Sequence, residues 1–187
     1  MIAICIGHSR KINGRYDGGA WSETLKTNER DFNLQVADKL STHLAQNGIP
    51  SAIISDYKGG GYGYAMQSAA DQIKDVRASI ALELHFNSAT PSASGHEWIY
   101  WHSSKTGKVL AQAFHDQFNK DHPNIKPRGL KGITAQMRGG CFLRFTHCPS
   151  LILEPFFGSS ESDCRQITPE GIAKSYAKAI ISPIGGS

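Results

Sequence analysis

Short apolar runs alternate along this chain with stretches whose apolar residues repeat at helical spacing, and that alternation restricts the fold more than any other feature. Ile2 to Ile6 is apolar and β-branched, suits a buried strand, and stops at Gly7-His8-Ser9. A polar, glycine-rich loop follows from Arg10 to Lys26, with Asp17-Gly18-Gly19 as turn chemistry. Thr27 or Asn28 caps a helix starting near Glu29, where Phe32, Val36, Leu40 and Leu44 share one face and Asn47-Gly48 forms the stop. Ser51 to Ser55 is the second strand, and Lys58 to Gly63 a mobile loop that lacks the Gly-Lys-Ser/Thr ending of a phosphate cradle. Ala65 to Val76 predicts a helix. The next strand, within Arg77 to Ser88, ends in His85, Asn87 and Ser88.

Gly95 to Trp101, aromatic and β-branched, is a strand, and Lys105 to Asn119 a helix with Leu110, Phe114 and Phe118 in phase. Asp121 to Gly132 holds two prolines and two glycines and is expected to be a loop. Ile133 to Met137 and Phe142 to Phe145 are short strand candidates, and Ser150 to Glu154 is a strongly buried strand. Thr168-Pro169 opens a last helix to Ile181, and Ile184 to Ser187 is a tail. Such a pattern predicts an α/β fold with a largely parallel sheet and helices on both faces. Trp98 and Tyr100 suggest an antiparallel edge, hence a mixed sheet.

The 187 residues fit one domain, 1–187, with no internal repeat or second-domain boundary. No apolar run is long enough to span a bilayer, and the first residues read as a strand, not a signal peptide. A net charge of +4 without blocks of like charge argues against a nucleic-acid stripe and reads as a solvated, slightly basic surface, while the lack of a long apolar run argues against membrane insertion. Cys5, Cys141, Cys148 and Cys164 show no C-x-x-C spacing; Cys141 and Cys148 could pair across a short loop, but reduced thiols are expected.

Ligands of open α/β sheets bind beyond the carboxyl ends of the strands. Three strands here deliver a polar group to that edge, His8, His85 and Glu154, and Glu29 opens the helix that follows the first of them. Two histidines with one carboxylate are the ligand type of a catalytic zinc, and a remaining carboxylate can handle the proton of a water. No H-E-x-x-H is present; His96-Glu97 has only its first half. An acid directly after Leu151-Ile152-Leu153 is costly to bury unless it is paired, protonated or near a metal.

Gly7-His8, Glu29 to Leu34, Leu84 to Ser88, Gly95 to Tyr100 and Leu153 to Phe157 occur in an order that resembles the zinc-dependent N-acetylmuramoyl-L-alanine amidases of bacterial cell-wall hydrolases and phage endolysins. The resemblance covers nearly the whole chain. It implies a six-stranded mixed sheet, one zinc ion per chain held by His8, Glu29 and His85, and Glu154 as the catalytic acid/base. It also implies peptidoglycan as substrate, cut between N-acetylmuramic acid and L-alanine. Glu23 lies close enough in sequence to compete with Glu29, but only Glu29 has the family's asparagine, Asn33, four residues on. Ser9-Arg10, Pro155-Phe156 and Ser159-Ser160 depart from the family's usual residues; they bear on the first loop and the substrate groove and remove no ligand.

The expectation is therefore a monomeric, bacteriolytic hydrolase without a separate wall-binding domain, made in the cytoplasm and acting on the wall after release or non-classical export. Two rivals stand beside it. A carboxypeptidase-like zinc peptidase would need an arginine-lined pocket, for which Arg77, Arg138 and Arg144 are available; a non-catalytic peptidoglycan-binding module would use Trp98 and Trp101. His147 is expected near the groove, and His43, His115 and His122 in solvent.

Overall fold

In a computed structural model, which describes residues 1–182, the chain forms a three-layer α/β domain. Its elements run β1 (Ile2–Ile6), β2 (Lys11–Ile12), β3 (Arg15–Tyr16), β4 (Trp21–Ser22), β5 (Thr27–Asn28), α1 (Glu29–Gln46), β6 (Ser51–Ile54) and α2 (Tyr62–Asp75). Then come β7 (Ile80–Leu84), β8 (His96–Trp101), α3 (Lys105–Asp121), β9 (Pro127–Ile133), α4 (Gly140–Phe145), β10 (Ser150–Glu154), α5 (Glu161–Cys164) and α6 (Pro169–Ile181). The tail expected from Ile184 lies outside the described residues.

The main sheet has six strands in the order β6-β1-β7-β10-β8-β9. The first four are mutually parallel; β8 runs antiparallel to β10, and β9 parallel to β8. The antiparallel strand expected at the edge is thus one position in, and β9 forms the edge.

Alternation within each strand divides the core in two, because successive side chains point to opposite faces. Ile2, Ile4, Ile6, Leu82, Leu84, Leu151 and Leu153 join the apolar stripes of α1, α3 and α6. Ala3, Cys5, Ala81 and Ile152 meet α2 and α4 on the other face. Both faces of β1 are buried, which explains its unbroken apolar run.

The caps behave as the residues dictate. Asn28 Oδ1 accepts from the Asp31 amide at 2.8 Å, and Thr168 with Pro169 at the first helical position opens α6. Helix α2 begins at Tyr62, earlier than the expected Ala65 and inside the supposed mobile loop, with Gly61 as its N-cap.

Two expectations around residue 130 are overturned. The stretch read as a loop holds β9, and Thr134 to Gly139, read in part as a strand, is a turn. Pro127 is tolerated because it is the first residue of an edge strand, where a missing N–H costs no ladder bond. Phe142 to Phe145, expected as a strand, lies in α4; periodicity alone does not separate a short apolar run into strand or helix. The four cysteines are free thiols, so Cys141 and Cys148 are not bridged.

Candidate active site

Adjacent β1, β7 and β10 bring their carboxyl ends together, and each delivers one polar side chain there. His8 stands just past β1 with φ at 59°, a left-handed backbone that turns its ring back over the sheet edge. Gly7, before it, keeps the sheet bonding through its amide to the Leu84 carbonyl at 3.0 Å. A Cβ on Gly7 would stand 2.3 Å from His85 Cε1, so only glycine leaves room for the second ring. The His8 and His85 rings meet edge to face, 5.2 Å apart.

Glu29 comes to the same place from the first turn of α1. Its Oε1 lies 2.7 Å from His85 Nδ1, and its Oε2 3.3 Å from His8 Nε2. Two backbone amides fix the carboxylate from behind, Ala20 to Oε2 and Phe86 to Oε1, each at 3.2 Å. Asn33 donates to the Glu29 carbonyl at 3.0 Å, so the asparagine one turn on secures the backbone that carries the acid. Burial alone would raise the Glu29 carboxyl; hydrogen bonds and charge from His8 and His85 outweigh it and hold the group well below the usual range.

Ligand-capable atoms of His8, Glu29 and His85 lie within 4.8 Å of one another. Two imidazole nitrogens and one carboxylate oxygen, largely shielded from water, fit the donor set of a catalytic zinc, which leaves a further position for water or substrate. Glu23 is elsewhere, on the surface, bonded to Trp21 Nε1 at 2.9 Å and paired with Lys26.

Glu154 ends β10, beside His85 at the end of β7; the His85 amide donates to the Leu153 carbonyl at 3.1 Å. Its Oε2 is sealed from water and has no hydrogen-bond partner among the described residues. Burial, reinforced by the charges of Glu29 and Glu97, outweighs His85 and Arg138 and raises the carboxyl to about 8. Glu97 faces Glu154 across β8 and β10 and is neutralised by Arg128 Nε at 2.8 Å and Lys131 Nζ at 2.6 Å. Asn87 donates to Glu97 at 3.1 Å, and its backbone bonds to Phe156 and Gly158, so its observed contacts shape the loop.

Other expectations for titratable residues fail. His147 precedes β10, on the opposite edge from Glu154, and lines a shallow recess there with Trp101 and Cys148. His43, His115 and His122 are half-buried, not solvated: His43 pairs with Glu170 at 3.0 Å, and His122 stacks on Phe118. His115 packs against His96, whose ring is buried beside Trp98 and Phe118. Phe156, suspected of altering the groove, instead packs in the core between Phe32 and Phe86.

Three contributors escaped the sequence reading. Gly19, seen only as turn chemistry, has φ at 72°, and a Cβ there would stand 2.6 Å from His8 Cδ2 and 2.7 Å from Glu29 Oε2. Asp17, two residues earlier, lies 3.2 Å from His8 Nδ1. Glu83 is a buried acid one residue before the end of β7, 3.4 Å from His85 Nε2. An acid inside an otherwise apolar strand was the available signal for Glu83.

Comparison with known proteins adds to this geometry. A model of the N-acetylmuramoyl-L-alanine amidase family matches residues 2–185. No curated protein matches the sequence. Among solved structures, an N-acetylmuramoyl-L-alanine amidase from Clostridium difficile 630 superposes with a TM-score of 0.79 at 22% identity, over 97% of this chain and 94% of that one. The catalytic domain of an endolysin targeting Clostridia difficile gives 0.79 at 20% identity, over 96% of each chain. The Ami1 amidase of Mycobacterium smegmatis gives 0.72 at 15% identity, over 99% of this chain and 97% of that one. At these identities the superpositions establish a shared fold, while the family match spans nearly the whole sequence. The chain belongs to the N-acetylmuramoyl-L-alanine amidase family.

Proposed function

We propose that this amidase uses a zinc ion held by His8, Glu29 and His85, with Glu154 as its proton carrier, to release stem peptides from peptidoglycan. The observation that carries the reading is the His8–Glu29–His85 triad, with Glu29 buried, beside Glu154 on the adjacent strand end, whose Oε2 has no hydrogen-bond partner among the described residues. A zinc ion in such a triad supplies Lewis-acid chemistry and makes water acidic enough to attack near neutral pH.

The chain's own groups account for the proton. In the amide, the bond to break joins the lactyl carbonyl carbon of N-acetylmuramic acid to the nitrogen of L-alanine. Water adds to that carbon, and ionised Glu154 takes one of its protons. The same carboxyl then gives a proton to the departing nitrogen, so L-alanine leaves as a neutral amine and the lactyl group becomes a carboxylic acid. Burial raises the Glu154 carboxyl above the usual carboxylate range in the metal-free protein, the direction that a proton shuttle near neutrality requires.

All four groups come from one chain, which supports a monomer as the working unit. Likeness to an endolysin catalytic domain supports action on the bacterial wall. Of the arginines considered for a carboxypeptidase pocket, Arg77 precedes β7 at the far edge of the sheet and Arg144 is exposed on α4. Arg138 exerts its charge on Glu154.

Product analysis of digested peptidoglycan tests the proposal. Mass spectrometry should find intact stem peptides with a free L-alanine amine. Chelator should stop their release, added zinc should restore it, and Glu154→Gln should retain zinc while losing ~10²–10⁴-fold in rate. Trimmed peptides, or full activity in that variant, would refute the assignment.

A further inference from the structure

Each histidine of the triad has one ring nitrogen within ion-pair distance of Glu29 and the other within ion-pair distance of a second carboxylate. His8 has Nε2 at 3.3 Å from Glu29 and Nδ1 at 3.2 Å from Asp17. For His85 the nitrogens are exchanged: Nδ1 is 2.7 Å from Glu29 and Nε2 is 3.4 Å from Glu83. We infer that Asp17 and Glu83 are positioning residues that fix opposite tautomers of the two histidines, so that His8 offers Nε2 and His85 offers Nδ1 to the metal.

A neutral imidazole carries its proton on one nitrogen and its lone pair on the other, and only the lone pair can bind a metal. A carboxylate beside one nitrogen holds the proton there and directs the lone pair to the opposite side. Because the two acids approach different nitrogens, they select different tautomers.

The surroundings of both acids favour this role. Glu83 is 2% exposed, between Cys5 of β1 and Ile152 of β10 in register, on the face packed by α2 and α4. A buried carboxylate is costly without a partner, and among the described residues His85 is the one ion-pair partner of Glu83. Asp17 is more exposed, but its loop is closely determined. The Asp17 amide donates to the Arg10 carbonyl at 2.9 Å, and the Gly19 amide donates to Asp17 Oδ1 at 3.2 Å. Gly19 then lies against both His8 and Glu29, so the turn that presents Asp17 also closes one wall of the triad.

The inference rests on the proposed metal reading, and its test separates the two. Zinc affinity is measured by competition with a chromophoric chelator for the wild type, His8→Ala, Asp17→Asn and Glu83→Gln. Long-range 1H–15N spectra of the zinc-loaded wild type identify the metallated nitrogens. We expect each acid variant to bind zinc ~10–100-fold more weakly, with metal on His8 Nε2 and His85 Nδ1. Melting of the metal-free variants controls for folding, and Asp17→Asn, on a surface loop, keeps the test available if Glu83→Gln does not fold. Wild-type affinity in the folded acid variants, or metal on the nitrogens that face Asp17 and Glu83, would overturn the inference alone. A wild type that binds no zinc, or a His8→Ala variant that binds it equally well, would overturn the metal reading beneath it.

Discussion

Glu154 sets stability against function in a way that can be measured. Its carboxyl loses a proton near the usual 4.5 when unfolded but only near about 8 when folded. Between those values the folded state binds more protons than the unfolded one, so stability falls as pH rises and the full penalty applies above about 8. At about 1.4 kcal/mol per pH unit the gap amounts to at most ~5 kcal/mol. One part of the half-buried residue still meets water, which brings the expected figure to ~2–3 kcal/mol. Glu154→Gln keeps the shape and removes the titration. Urea unfolding of chelator-treated wild type and variant at pH 5 and pH 9 should show the variant gaining ~2–3 kcal/mol relative to wild type across that interval. Chelation matters, since a bound cation would compete for the charged form. If the two stability curves run parallel from pH 5 to 9, the carboxyl is not held protonated by burial and the reasoning fails.

Further expectations concern the groups around it. Gly19→Ala places a Cβ 2.6 Å from His8 at a φ of 72° and should cost at least tenfold in zinc affinity and rate. Gly14→Ala, with a similar φ of 79° and nothing within 4 Å, should cost only ~1–2 kcal/mol of backbone strain, read by thermal melting, and leave activity intact. His96, lowered by burial to about 4, contributes stability that is complete above 6.5 and is lost as pH falls toward 4. That acid loss should be ~2–3 kcal/mol by denaturant midpoint and absent from His96→Gln. Asp163 accepts from Ser94 Oγ at 2.6 Å, the Gly95 amide at 2.9 Å and the Phe157 amide at 3.0 Å. Asp163→Ala, which strands these donors, should cost ~3–5 kcal/mol in the same assay.

The elements legible in the sequence are those whose local chemistry agrees with their packing. β1 and β10 are buried on both faces and read as unbroken apolar runs; α1 and α6 have side-chain caps and a one-sided apolar stripe. His8, His85, Glu29 and Glu154 were visible because each follows or opens such an element. β9 was hidden because its edge position excuses Pro127 and Gly129, two residues that argue against a strand elsewhere. β2 to β5 pair only two residues each, too few to leave a period. Asp17 was hidden by distance, since nothing in a turn reveals which side chain it will meet across the fold. Glu83 was legible in principle, as a charge within Ile80 to Leu84, but only the approach of His85 gives that charge a purpose.

Glu29 and Glu154 show why this edge of the sheet can divide labour between like groups. Burial pushes both carboxyls upward. What separates them is the set of donors that the backbone brings along. Glu29 meets two imidazoles and two amides, which stabilise its charge and suit it to face a cation. Glu154 meets another acid across the ladder, and its Oε2 meets no donor among the described residues, so the proton is the cheapest counter-charge available to it. Two carboxyls whose environments drive them in opposite directions are suited to opposite tasks, one a fixed anion and one a proton carrier. The sheet order produces that contrast: Glu29 rides on a helix end rich in free amides, while Glu154 ends a strand between β7 and β8, with Glu97 opposite it on β8. Exchanging the environments would require moving backbone, which is why conservative changes at Gly7 or Gly19 should damage the site more than larger changes in the side chains of the surrounding loop.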